Sequence, residues 1–226
     1  MKILIIAAHP DDEVLGCGGT IARHAQEGHQ VHILILGEGI TSRFDDRSKA
    51  STADLEQLHD QAQRAGEYLG VKNVIVHGFP DNRFDTVSLL DIVKRIEEQI
   101  DAIQPEIVYA QHGGDLNIDH ALTFRAVMTA TRPLAGTGVK RVYAYEVPSS
   151  TEWSFQKFEP AFRPDTFVDI STTLEKKIGA MAIYETESRA FPHPRSPEAL
   201  LARAAYWGSA AGLKAAEAFE LIRDVQ

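Results

Sequence analysis

Two short segments concentrate the side chains that could do chemistry. Ala8-His9-Pro10-Asp11-Asp12-Glu13 sets one imidazole and three carboxylates almost side by side. His112-Gly113-Gly114-Asp115-Leu116-Asn117-Ile118-Asp119-His120 adds two more imidazoles and two more acids. Neighbouring carboxylates raise one another's pKa, so this density of acid is costly without a cation. Histidine in both segments favours zinc or another borderline metal over magnesium. His9, one carboxylate and His120 would supply two nitrogens and an oxygen. Three protein ligands plus water is the layout of a catalytic zinc site with an open position. A second carboxylate outside the ligand set could then take a proton from that water. Acid-rich strand ends also bind magnesium in phosphoryl-transfer proteins, so that reading stays open at this point.

Both segments follow runs that read as buried strands, residues 2–8 and Ile107–Ala110. Further strands are expected at Val31–Leu36, Val74–Val76, Arg141–Val147 and Phe167–Ile170. Helices are expected over 15–27, stopped by Gly28, over 54–69, stopped by Gly70, over 89–103 with Leu90, Val93, Ile96 and Ile100 on one face, and over 119–131. Helices over 173–189 and 198–223 would close the chain. Strand and helix alternate four times. That predicts an α/β fold with a Rossmann-like, mostly parallel sheet and helices on both faces. Strand ends of such a sheet face one crevice, so residues distant in sequence can meet there. A single domain over residues 1–226 is expected, with residues 1–147 forming the core and 148–226 completing it. Gly16-Cys17-Gly18-Gly19 lacks the dinucleotide fingerprint and lies beside three acids, so close helix-on-sheet packing explains it better than phosphate binding.

The net charge of -9 and the absence of a basic cluster argue against a nucleic-acid partner. One cysteine, Cys17, rules out an intrachain disulfide or a thiolate-rich zinc site. The opening apolar run is too short for a secretory signal, and no stretch approaches the length of a membrane span. A soluble cytoplasmic protein is expected. Ala205, Gly208, Ala211, Gly212 and Ala215 suit close packing against the core or a second copy, so a homo-oligomer is one expectation.

These residues resemble the PIG-L / LmbE-like family of zinc-dependent N-deacetylases. The resemblance rests on Ala8 to Glu13 with Gly16 and Gly19-Thr20 behind it, on Asp115 to His120, and on Leu69-Gly70-Val71 and Pro80-Asp81. Together these cover about residues 1–130. The resemblance implies that His9, Asp12 and His120 hold Zn2+. It implies that Asp11 is the general base toward a zinc-bound water, and that the reaction removes an N-acetyl group from a GlcNAc-type amino sugar or conjugate. Asp119 would orient a histidine, and Glu13 would hold the loop rather than the metal. Many members carry a histidine where this chain has Asn117, so the oxyanion donor would be Asn117 or His112. Many carry an arginine where this chain has Leu58, and Arg43, Arg83 or Arg195 would replace it.

Other residues follow from their placement. His193, between two prolines and ahead of Arg195, could close over the crevice and bond a tetrahedral intermediate. Trp153 could stack on a sugar face. Asp81 could line the same crevice. The rivals to a deacetylase are a magnesium-dependent phosphoryl hydrolase and a non-catalytic sugar or nucleotide-sugar binder.

Overall fold

The computed structural model describes residues 1–134 and 138–226. Its strands are β1 (Lys2–Ala7), β2 (Gln30–Gly37), β3 (Asn73–Phe79), β4 (Ile107–Gln111), β5 (Arg141–Tyr145), β6 (Thr166–Asp169) and β7 (Ala216–Asp224). They form one sheet in the order β3-β2-β1-β4-β5-β7-β6. The first five strands are parallel, and β7 runs antiparallel to both β5 and β6. The helices are α1 (Asp12–Gln26), α2 (Thr52–Leu69), α3 (Leu89–Ile103), α4 (Ile118–Ala130), α5 (Leu174–Ile183) and α6 (Pro197–Ala211).

Successive strand residues point to opposite faces. Ile3, Ile5, Ile33 and Ile35 therefore pack with Leu15, Leu58, Leu69 and Met181, beneath α1, α2 and α5. Leu4, Ile6, Leu34 and Leu36 pack on the other face with Ile92, Ile96, Ala126 and Val127 of α3 and α4. Covering both faces is why these strands read as continuous apolar runs rather than alternating ones. A Cβ at Gly16 would come within 2.2 Å of the Tyr145 ring, so the glycine serves close approach of helix to sheet.

Four expectations need correction. α1 begins at Asp12, three residues before the predicted start, so Asp12 and Glu13 occupy its first turn, where the helix dipole favours negative charge. Leu90 is 60% exposed, and the buried face of α3 runs through Ile92, Val93, Ile96 and Ile100. The predicted 173–189 helix stops at Ile183. The predicted 198–223 helix is instead α6 followed by β7, separated at Gly212, whose φ of 72° closes α6. The Ala- and Glu-rich run has helix propensity, but the slot between β5 and β6 wins by burying Ala216, Ala218 and Phe219. Among the described residues no helix is long and apolar enough to cross a membrane.

Glu217 ties β7 to the opposite layer. Its carboxylate accepts from Gly19 N at 3.0 Å, Thr20 N at 2.7 Å and Lys177 Nζ at 2.6 Å. Lys177 also donates to Leu15 O at 2.8 Å. Both side chains are buried, so removing one partner strands the other charge. Glu217→Ala is expected to cost about 3–5 kcal/mol in urea unfolding. Lys177→Met combined with Glu217→Leu is expected to recover most of that loss.

Candidate metal centre

Chain progression across the sheet reverses between β1 and β4, the switch point where open α/β sheets bind ligands. Ile3, Leu4 and Ile5 pair with Ile107, Val108 and Tyr109, so the two chemically rich segments leave the sheet side by side. Gln111 fastens them together. Its Oε1 accepts from Ala8 N at 3.1 Å, and its Nε2 donates to Asp12 Oδ2 at 2.8 Å.

His9, Asp12 and His120 each offer a ligand atom within 4.8 Å of the others. His9 Nδ1 lies 3.4 Å and His120 Nε2 3.3 Å from Asp12 Oδ2. The far nitrogen of each ring faces another carboxylate. His9 Nε2 is 2.9 Å from Asp119 Oδ2, and His120 Nδ1 is 3.2 Å from Asp115 Oδ1. A carboxylate behind a histidine fixes its tautomer and raises its basicity, the usual support of a metal ligand. Asp115 is itself held by Asn117 N at 2.8 Å, by Thr151 Oγ1 at 2.6 Å and by Ser150 Oγ. Asp119 Oδ1 accepts from Phe84 N at 2.9 Å. A half-buried and a buried imidazole aimed at one carboxylate oxygen, inside a shell of further acids, fit a divalent cation with nitrogen and oxygen ligands.

Asp11 sits outside this group although it adjoins Asp12. Its backbone is left-handed, with φ 97°, which turns its side chain away from the ligand set into the same cavity. Arg195 Nη1 donates to Asp11 Oδ2 at 2.7 Å. Burial raises the Asp11 pKa well above the usual carboxylate value, with Arg195 opposing. Glu13 holds the turn from behind: its Oε2 accepts from Asp11 N at 3.1 Å and its Oε1 from the Tyr184 hydroxyl at 2.7 Å. Burial raises the Glu13 pKa to about 7.

The cavity is about 220 Å³, and Asp81, Asn117, Arg43 and Arg195 line it together with the ligands and Asp11. Leu58 lines it too, at the position where the resemblance leads one to look for an arginine. Arg43 Nη2 lies 2.6 Å from both oxygens of Glu187, whose Oε2 also takes Arg195 Nη1 at 3.0 Å. Four predicted residues stand elsewhere. His112 is buried away from the cavity, with Nδ1 3.0 Å from Glu220 Oε2 and Nε2 2.7 Å from Pro160 O, so it has no free nitrogen for an oxyanion. Arg83 is exposed and points outside the wall. His193 and Trp153 also lie off the wall, packed edge to face with ring centroids 5.6 Å apart. His193 Nδ1 accepts from Arg195 N, so it shapes the loop that carries Arg195.

Gln111, Asp115 and Glu187 are site residues that sequence reading passed over. Asp115 carried a signal, standing five residues before His120 in an acid-rich run. Glu187 was hidden inside a predicted helix that does not extend that far.

Asp115→Asn and Asp119→Asn are each expected to weaken metal binding by about 10- to 100-fold in competition with a chromophoric chelator. Burial lowers the His120 pKa, but Asp12 and Asp115 outweigh it and push the value up to about 9. The metal-free ring therefore carries a proton at neutral pH that a metal must displace. Affinity is expected to rise with pH up to about 9. Calorimetry at pH 7 in buffers of different ionisation enthalpy should detect proton release.

The chain is similar to proteins already known. The family model PIG-L, described as GlcNAc-PI de-N-acetylase, matches residues 4–131. The chain is 31% identical over 155 residues to the uncharacterized deacetylase YaiS of Escherichia coli K12, covering 66% of this chain and 75% of that one. It is 29% identical over 196 residues to the 4-oxalmesaconate hydratase of Pseudomonas putida KT2440, covering 79% of this chain and 70% of that one. Its fold matches that of N,N'-diacetylchitobiose deacetylase from Pyrococcus horikoshii with a TM-score of 0.78, at 19% identity, over 98% of this chain and 84% of that one. The family model spans both segments of the centre, and the chain belongs to the PIG-L family.

Proposed function

We propose that this chain removes the N-acetyl group from a GlcNAc-type amino sugar or sugar conjugate, with zinc as its metal. Membership of a family described as a de-N-acetylase supports hydrolysis of an acetamide and sets the phosphoryl-hydrolase reading aside. The observation that carries the mechanism is Asp11, a buried carboxylate beside the ligand group and outside it.

A divalent metal held by His9, Asp12 and His120 supplies the positive charge that acidifies water and polarises an amide carbonyl. The chain's own residues do the rest. Asp11 takes a proton from the attacking water and passes it to the departing nitrogen. Burial raises its pKa above the usual carboxylate value, which makes it a stronger base than an exposed aspartate. Arg195 fixes the direction of the carboxylate by gripping Oδ2. Asn117 caps α4, its Oδ1 accepting from Asp119 N at 2.9 Å. Asn117 also lines the cavity, and its Nδ2, not used in that bond, is the donor assigned to a developing oxyanion. Ser42, Asn82, Ser149 and Ser150 supply further polar contacts suited to a hydroxyl-rich ligand.

Acetate release from a panel of N-acetylated sugars, sugar phosphates and nucleotide-sugars is the direct test, run with zinc and with chelator. Chelation is expected to abolish release. Asp11→Asn is expected to lower kcat by at least about 100-fold while zinc stays bound. Release that survives complete chelation, or an Asp11→Asn variant with full turnover, would sink the reading. Asn117→Ala is expected to lower kcat about 100-fold with KM little changed, as loss of an oxyanion donor does.

A further inference from the structure

The opposite end of α1 carries a second group of metal-ligating side chains. α1 has 15 residues, about 22 Å at the α-helical rise, which separates this group from the catalytic centre. His24 and Glu27 stand three residues apart on one side of the last helical turn. Gly28, with φ 80°, then reverses the chain and returns His29 to them. The turn is pinned by backbone bonds from Gly28 N to Ala25 O and from His29 N to His24 O, both 3.0 Å.

The three ligand atoms lie within 4.8 Å of one another. Glu27 Oε2 is 3.8 Å from His24 Nδ1 and 3.7 Å from His29 Nε2. Glu27 Oε1 is taken by Arg23 Nε at 2.9 Å, which aims the other oxygen at the two rings. His24 Nε2 lies 3.1 Å from the hydroxyl of Tyr109, a buried residue of β4. A proton on Nε2 donated to that hydroxyl leaves Nδ1 as a bare lone pair. That Nδ1 is buried and has no hydrogen-bond partner among the described residues, so its lone pair is open to a cation. Two imidazoles and a carboxylate are a known donor set for zinc.

We propose that His24, Glu27 and His29 form a second divalent-metal site, taking zinc or a similar borderline ion, which clamps the turn between α1 and β2. It is chemically independent of the deacetylase centre and would hold a structural ion.

Zinc calorimetry on the full chain carrying His9→Ala and His120→Ala isolates this site. The expected result is one remaining equivalent of zinc, and a rise in Tm on adding it. Adding His29→Ala or Glu27→Gln to that background is expected to weaken the remaining binding at least tenfold and to remove the Tm rise. Both positions are on or near the surface, and far-UV circular dichroism confirms that the fold survives. Cobalt substitution adds a second readout, since ligand-field bands should appear in the background protein and vanish with His29→Ala. In the otherwise native enzyme, His29→Ala is expected to reduce bound zinc from two equivalents to one without changing acetate release. A background protein that binds no zinc, or binds it equally well with His29→Ala and Glu27→Gln, would overturn the proposal.

Discussion

One carboxylate oxygen, Asp12 Oδ2, organises this molecule. It accepts from His9 N and from Gln111 Nε2, both at 2.8 Å, and faces an imidazole nitrogen on either side. Burying a carboxylate costs several kcal/mol unless opposite charge and hydrogen bonds surround it. Here burial works against the charge, yet His120 and the bonds to the histidines hold Asp12 well below the usual carboxylate range. Its neighbours come from the ends of β1 and β4 and the start of α4. The site therefore exists only if β1 and β4 pair in register, and the sheet order that puts them together is a precondition of the chemistry.

The segment after residue 131 lies outside the family match, yet it closes the cavity. Ser149, Ser150, Glu187 and Arg195 all come from it. Arg195 reaches back to Asp11, and Glu187 joins Arg195 to Arg43. The candidate ligand group thus lies wholly within the family match, whereas the cavity wall is shared between that part of the chain and the segment that follows it.

What could be read from sequence followed how local the signal was. α3 lies at residues 89–103 as predicted, because a helical period and flanking breakers define it without outside help. Gly70, in the left-handed conformation, ends α2 where the glycine rule puts it. β7 failed for the opposite reason: Ala216 to Asp224 takes its conformation from β5 and β6, which no local pattern reveals. The convergence of His9, Asp12 and His120 was legible because such residue types are unusual beside a strand. His112 has the same residue type and neighbourhood, yet Glu220 of β7 and Pro160 hold it inside, both beyond reach of a local reading. Gln111 was passed over because an amide ending a strand looks ordinary until its two partners are known.

The division of labour among the buried acids follows from which donors saturate them. Asp119 is engaged at both oxygens, by Phe84 N and by His9. Asp115 is engaged at both, by Asn117 N and Ser150 on one side and Thr151 on the other. Asp81 takes Ser42 N at one oxygen and the Asn82 amide at the other. Asp12 is committed to Gln111 and the histidines. Donors at both oxygens, or two donors at the same oxygen in Asp12, fix these four acids in orientation. Asp11 is held through Oδ2 by a guanidinium on a different part of the chain, and it lines the cavity. An acid in that position can change protonation state without dismantling the fold around it, which is what a proton carrier at this centre requires.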